Sequence, residues 1–288
     1  MMIKSDAEGH IEVRELRLQF GTRRQQVLAV DGVSLEVHPG EFVSLIGPSG
    51  CGKSTLLNAV AGLVQTTEGG VFLDGRLIDG PGPERGVVFQ QYSLFPWMTV
   101  RKNVEFGLKM QGLPASSRES SARTLLGLAG LLAFENHYPE QLSGGMKQRV
   151  GIVRALAASP KVLLMDEPFG ALDSQTRMIM QQILTNMWQR FRLSVLFVTH
   201  DIEEAIFLSD RVYVMTARPG RIKAVVDVPL PRPRVAADMM SEPFLQILLT
   251  LRNQIREESL AAMGGELDEN GLTGFAVDVG PTGVKELV

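Results

Sequence analysis

One cysteine, Cys51, stands in a chain of 288 residues, so no disulfide can form within it. That suits a reducing cytoplasm. Basic charge is also in short supply. Lysine and arginine number 29 against 32 acidic residues, a net charge of −3, whereas a nucleic-acid binder is usually basic overall. No nucleic-acid partner is expected. Long apolar runs are missing too. Val162 to Met165 and Val195 to Val198 fall far short of the roughly 20 residues that cross a bilayer. They are strand-sized. The first residues, Met1 to Glu8, are polar and lack the apolar core of a signal peptide. Work at a membrane would then need a partner to hold the chain there.

What is present is ample apolar content, 44% of the chain, enough for one large domain or two modest ones. Val33, Leu35 and Val37 alternate with polar residues, the pattern of a half-buried strand. Val71 to Leu73 and Arg76 to Ile78 flank Asp74-Gly75, a two-residue hairpin signal. By contrast Phe42 to Ile46, Val162 to Met165 and Ser194 to Thr199 are nearly continuous apolar runs. Such runs suit a parallel sheet covered on both faces.

Helical spacing takes over between residues 99 and 160. Met146, Val150, Val153 and Ala157 form one stripe of a helix that Ser143 would cap. Met180, Ile183, Leu184, Met187, Trp188 and Phe191 form a second stripe, and Phe244, Leu248, Leu251 and Ile255 a third, with Pro243 near its start. From Gly264 onward five acidic residues face one lysine, which predicts a loose tail or a partner contact.

Three segments carry chemistry. Gly47-Pro48-Ser49-Gly50-Cys51-Gly52-Lys53-Ser54-Thr55 follows an apolar strand and matches the phosphate-loop pattern. Its glycines let backbone N–H groups turn inward around phosphates, and the following helix adds its N-terminal dipole. Lys53 is expected to reach the β- and γ-phosphates, and the Ser54 hydroxyl to ligate Mg²⁺. Asp166 and Glu167 emerge together from a second buried strand. Asp166 is expected to hold the metal, and Glu167 to act as general base for the attacking water. His200 ends a third apolar run and Gln90 a fourth. Ligands bind beyond the carboxyl ends of parallel strands, so both are placed to reach the γ-phosphate, the metal or the water. Ser143-Gly144-Gly145 opens a helix, a second anion-binding end. It sits in the helical stretch, apart from Lys53 and Asp166, and so is expected to serve a nucleotide held by another subunit.

In this order the Gly47–Thr55 loop, Gln90, Leu142-Ser143-Gly144-Gly145, Val162–Glu167, Ala171-Leu172-Asp173 and His200 resemble the ATP-binding-cassette ATPases. The resemblance covers about residues 11–235, with a helical insertion at about 99–160. It leaves 236–288 as a C-terminal helix and acidic tail. It implies an α/β P-loop NTPase fold: a parallel sheet core, an antiparallel β subdomain and an inserted α-helical subdomain. It further implies a head-to-tail dimer with ATP between one subunit's phosphate loop and the other's Ser143 segment. By the same resemblance Phe20 would stack on adenine, where many relatives carry Tyr, and Asp173 would lie at the dimer interface. Gln90 with Tyr92 to Met98 would form part of a groove for a membrane subunit, leaving Phe95 and Trp97 either exposed there or in the core.

Pro81 to Gln90, Leu94 to Val100, Leu164 to Asp173 and Ala217 to Ile222 look like importers of the nitrate/sulfonate/taurine class. This implies a peripheral ATPase at the cytoplasmic face of the cell membrane. It would be paired with a second ATPase subunit, held by permease subunits and served indirectly by a solute-binding protein. The transported molecule stays open, because such a subunit never touches it. The competing readings are a soluble cassette ATPase and a nucleotide-sensing module uncoupled from transport. Intact Glu167 and His200 disfavour the second. A P-loop kinase would leave Ser143-Gly144-Gly145 without a role.

Overall fold

The computed structural model describes residues 8–22 and 25–262; Met1 to Ala7 and the acidic stretch from Gly264 onward lie outside the described residues. Strands β1 (Ile11–Thr22) and β2 (Gln25–Val37) open the chain, and β3 (Phe42–Ile46) leads into helix α1 (Lys53–Val60). A hairpin of β4 (Glu68–Leu73) and β5 (Arg76–Leu77) follows, then β6 (Arg85–Val88). Three helices come next: α2 (Val100–Met110), α3 (Ala115–Leu128) and α4 (Gly144–Ala157). The chain then alternates through β7 (Val162–Asp166), α5 (Ser174–Phe191), β8 (Ser194–Val198), α6 (Ile202–Leu208) and β9 (Arg211–Met215). Strand β10 (Ile222–Asp227) and helix α7 (Glu242–Ala262) complete it.

Two sheets result. The first is antiparallel, in the order β2-β1-β4-β5; the second runs β10-β9-β3-β8-β7-β6, with only edge strand β10 antiparallel to its neighbour. This is the mixed P-loop NTPase architecture that the resemblance implies. At the β4–β5 turn Asp74 and Gly75 both take positive φ, 51° and 76°, as a primed two-residue turn demands.

The central strands are buried on both faces, which is why they read as unbroken apolar runs. Phe42, Leu163, Val195 and Phe197 pack under the helices, while Val43, Leu45, Leu164 and Leu196 pack against α1 and the antiparallel sheet. Each such side chain contributes about 1.5–3 kcal/mol when fully buried. The expected helical stripes reappear with one departure. Val150, Val153, Met180, Leu184, Phe244 and Leu251 are buried, whereas Phe191 stands exposed at the last turn of α5. Phe191 is the last residue of α5, next to the left-handed C-cap Arg192 where the chain turns into β8.

Trp97 and Phe95 divide between the two fates open to them. Trp97 is 70% exposed, whereas Phe95 is half-buried and packs on Phe106 with ring centroids 4.7 Å apart.

Among the described residues Arg234 is the largest wholly buried side chain. Its Nη1 donates to the carbonyls of Ile206, Phe207 and Ser209, and its Nη2 to those of Val228 and Leu230. The first three are end groups of α6 that lack partners within the helix. A cation there also complements the helix dipole. Burial pushes the guanidinium down to about 10. Arg234→Ala should cost about 3 kcal/mol or more, because several buried carbonyls lose their donor together. Denaturant unfolding measures this; a loss under about 0.5 kcal/mol, the range of ordinary surface changes, would contradict the role.

Candidate functional site

The phosphate loop occupies the turn between the end of β3 and the start of α1. Lys53 is buried and its Nζ donates to the carbonyls of Gly47 and Pro48, both at 2.9 Å. The ammonium is thus folded over the loop that it would use to hold a phosphate. Gly50 and Gly52 take positive φ, 74° and 107°. A Cβ on Gly52 would lie 2.9 Å from the Ala29 carbonyl oxygen, so β2 approaches the loop too closely for a side chain. Cys51 is buried beneath the loop, which raises its thiol pKa. Ser49 and Ser54 are exposed, and Thr55 is half-buried in the first turn of α1.

Strands β7 and β8 bring the acidic pair to the same edge. Ser54 Oγ donates to Asp166 Oδ1 at 2.9 Å. Burial raises the Asp166 pKa, while the Ser54 hydrogen bond opposes that rise and the neighbouring Glu167 charge adds to it. Hydroxyl and carboxylate oxygens in contact suit a hard cation such as Mg²⁺. Glu167 sits just past the strand with φ of 42°, and its N–H donates to Val198 O at 2.9 Å. Its Oε2 lies 3.1 Å from His200 Nδ1 and 3.5 Å from Gln90 Nε2. Two residues, 77 and 33 positions from Glu167 in sequence, therefore meet at one of its carboxylate oxygens.

The Ser143 segment is placed elsewhere. Ser143 caps α4, its Oγ accepting from Met146 N at 3.4 Å. A Cβ on Gly144 would meet Tyr92 Oη at 2.9 Å, and one on Gly145 would meet Thr176 Cγ2 at 2.7 Å. The glycines are required because this helix start is pressed against Tyr92 and the first turn of α5. Asp173 caps α5 by accepting from Thr176 N at 2.9 Å, which lowers its carboxyl pKa. Among the described residues no hydrogen bond joins the Ser143 segment to the Gly47–Thr55 loop. Phe20 lies on β1, 43% exposed, opposite Val27.

Several supporting residues escaped the sequence reading. Arg218 donates from Nε and Nη2 to Gly50 O at 3.2 and 3.0 Å, and Gly220 N donates to Ala29 O at 2.9 Å. The loop before β10 thus braces the phosphate loop. Behind His200, Thr199 Oγ1 donates to Glu204 Oε2 at 2.6 Å and Gln181 Nε2 to Glu204 Oε1 at 3.1 Å. Burial raises the Glu204 pKa. Arg177 pairs with Asp201 at 3.1 Å. The signal available for Arg218 and Gly220 was their place in a recognised Ala217 to Ile222 segment, which by itself assigned them no role.

Fold and site together define a P-loop nucleotide hydrolase. Comparison narrows this. The family described as ABC transporter matches residues 30–170. An uncharacterized ABC transporter ATP-binding protein of Methanocaldococcus jannaschii is 50% identical over 253 residues, covering 88% of this chain and 94% of that protein. The nitrate import ATP-binding protein NrtD of Synechocystis sp. is 52% identical over 222 residues, covering 77% and 84%. A dimeric ATP-binding cassette in a post-hydrolysis state, bound to ADP and Pi, matches with a TM-score of 0.68 at 33% identity. That match covers 77% of this chain and all of the other. The chain belongs to the ABC transporter ATP-binding family, whose members couple ATP hydrolysis to transport.

Gly220→Ala tests the brace directly. Its Cβ would fall 2.2 Å from Cys51 O, so the phosphate loop must shift. ATP affinity should fall about tenfold or more in direct nucleotide titration, since displacements near 1 Å at a positioned site carry such penalties. Unchanged affinity would remove this loop from the site.

Proposed function

We propose that the chain is the ATP-hydrolysing subunit of an importer that moves a small anion, such as nitrate, sulfonate or taurine, through a membrane permease. The observation that carries the reading is the separation of two phosphate-binding ends within one chain. Lys53 opens α1 at the phosphate loop, whereas Ser143, Gly144 and Gly145 open α4 against Tyr92 and Thr176. Two copies placed head to tail would bring one copy's α4 start onto the other's loop. The dimeric state of the solved cassette supports the pairing of two copies.

In that assembly Gly47, Pro48, Ser49, Gly50, Cys51, Gly52, Lys53, Ser54 and Thr55 hold the phosphates, and Phe20 offers its exposed ring to the adenine. Ser54, Asp166 and Gln90 would hold Mg²⁺, which when bound neutralises charge on the β- and γ-phosphate oxygens. Glu167 Oε2 takes the proton of the attacking water. His200 and Gln90, which crowd the same oxygen, orient that carboxylate and the water. From the partner, Ser143 and the N–H groups of Gly144 and Gly145 meet the γ-phosphate, adding donors where charge develops. Asp173, exposed beside the α4 start, lies at the interface and couples the two sites.

Membrane attachment falls to partners. Among the described residues no helix is long and apolar enough to cross a membrane. A groove of about 390 Å³ beside Trp97, Met98, Phe106 and Met110 is lined also by the charged side chains of Lys102, Glu105, Lys109 and Arg118. It would receive a helix of a permease subunit, holding the ATPase at the cytoplasmic face of the membrane. A solute-binding protein would deliver the anion from the far side. The nitrate import relative supports this class of cargo.

Three measurements test the reading. Glu167→Gln should keep ATP affinity, form a stable dimer with ATP, and lose about 10²–10⁴-fold in turnover, the usual span for a lost general base. A near-normal rate would remove Glu167 from that role. Ser143→Arg should abolish hydrolysis while the isolated subunit still binds ATP with unchanged affinity; normal turnover would defeat the shared-site arrangement. In a strain lacking this chain, uptake of nitrate, taurine and alkanesulfonates can be compared. At least one should fall to background and recover on complementation, and normal uptake of all three would overturn the proposed cargo class.

A further inference from the structure

His10, Glu36 and His38 stand together on the antiparallel sheet, outside every residue assigned to the nucleotide. Ile11 pairs with Val37 across β1 and β2, and both point into the core. Side chains alternate along strands, so His10, Glu36 and His38 share the opposite face. His10 Nε2 lies 2.6 Å from Glu36 Oε1, and His38 Nδ1 lies 3.4 Å from the same oxygen. The two imidazoles stack at 5.8 Å with an interplanar angle of 14°. One ligating atom from each of the three residues falls within 4.8 Å of the others.

We propose that His10, Glu36 and His38 bind a divalent transition-metal ion of the zinc, nickel or cobalt type, with the remaining position open to solvent. Two imidazole nitrogens and one carboxylate oxygen are a borderline donor set, which favours these ions over Mg²⁺ or Ca²⁺. Bonds of about 2.0–2.2 Å in tetrahedral geometry put ligand atoms roughly 3.3 Å apart. The His38–Glu36 separation already matches that value, whereas the 2.6 Å His10–Glu36 contact must open by somewhat under about 1 Å as the ion replaces the shared proton.

The backbone around the cluster is already pinned. His10 N donates to Asp74 Oδ1 at 2.9 Å, and His38 N donates to Glu41 Oε2 at 2.8 Å. Tyr213 Oη accepts from Glu36 N at 3.2 Å. Arg211, the nearby cation, donates to the Glu36 backbone carbonyl at 2.8 Å and is paired with Glu41. Among the described residues the Glu36 carboxylate therefore has no guanidinium hydrogen-bond partner. An ion bound here ties the start of β1 to the end of β2. That joint directly precedes β3, the strand that delivers the phosphate loop.

The test is Co²⁺ titration of the nucleotide-free full chain, in excess Mg²⁺ to fill sites that prefer hard oxygen ligands. One equivalent should bind with visible absorption bands typical of nitrogen-ligated Co²⁺. At about a hundredfold excess over Kd, Zn²⁺ should raise Tm by about 5 °C. His38→Gln, which leaves the His10–Glu36 pair in place, should lose both effects, as should His10→Gln/His38→Gln. Both variants should keep wild-type ATPase rates in Mg²⁺. Equal Co²⁺ binding by wild type and variants would place the ion elsewhere. Failure of the wild type to bind Co²⁺ would overturn the site outright.

Discussion

Glu167 leaves strand β7 with its N–H donating to Val198 O, one step past the last paired residues of β7 and β8. That hydrogen bond couples two strand ends that must agree for the site to exist. Because β7 and β8 are parallel, both point their carboxyl ends to the same edge. The bond then sets how far each emerges before it turns. Glu167 accepts a left-handed φ of 42° there, a conformation that costs a non-glycine residue and persists only when surroundings over-determine it. The return is geometric: its carboxylate meets His200 and Gln90 from the two flanking strands. Without that register the three would point into separate loops.

Electrostatics divides the labour between neighbouring carboxylates. Asp166 is half-buried, its pKa raised by desolvation, and among the described residues its hydrogen-bond donor is Ser54. An ion with two charges would relieve exactly the penalty that burial imposes, which is why the proposed metal role falls on Asp166. Glu167 is left to water and to the imidazole. Adjacent positions in sequence thus acquire different chemistry because the strand ends between them.

Much of this was legible in the chain because it is local. The Asp74-Gly75 turn needs only two residues with positive φ, and the buried strands need only unbroken apolar runs. The phosphate loop is a contiguous pattern whose function depends on backbone. What escaped depends on pairing across long separations. Arg218 reaches Gly50 across 168 positions, and nothing in either segment alone specifies the contact. Glu204 resembles any charge on a short helix until the fold buries it between Thr199 and Gln181. Phe191 shows the opposite failure, since its spacing is right but it lies in the last turn of α5, where the chain leaves the helix. Trp97 and Phe95, nearly adjacent, part company because Phe95 sits between Phe106 and Arg154, while Trp97 rests on its outer side against Phe95.

Helix α6 shows how these hidden contacts serve the site. Its first turn is fixed by Asp201, which accepts from Glu204 N at 3.1 Å, and by the buried Thr199–Glu204 bond just behind His200. Its last carbonyls are gripped by Arg234. Both ends are held by buried polar contacts, and polar groups in the interior are costly to leave unpaired. A short helix secured this way moves as a unit with the segments that hold it. His200 is then not a free side chain at a strand end. Its backbone directly precedes a helix whose two ends are both held, and that fixes where the imidazole is presented to Glu167.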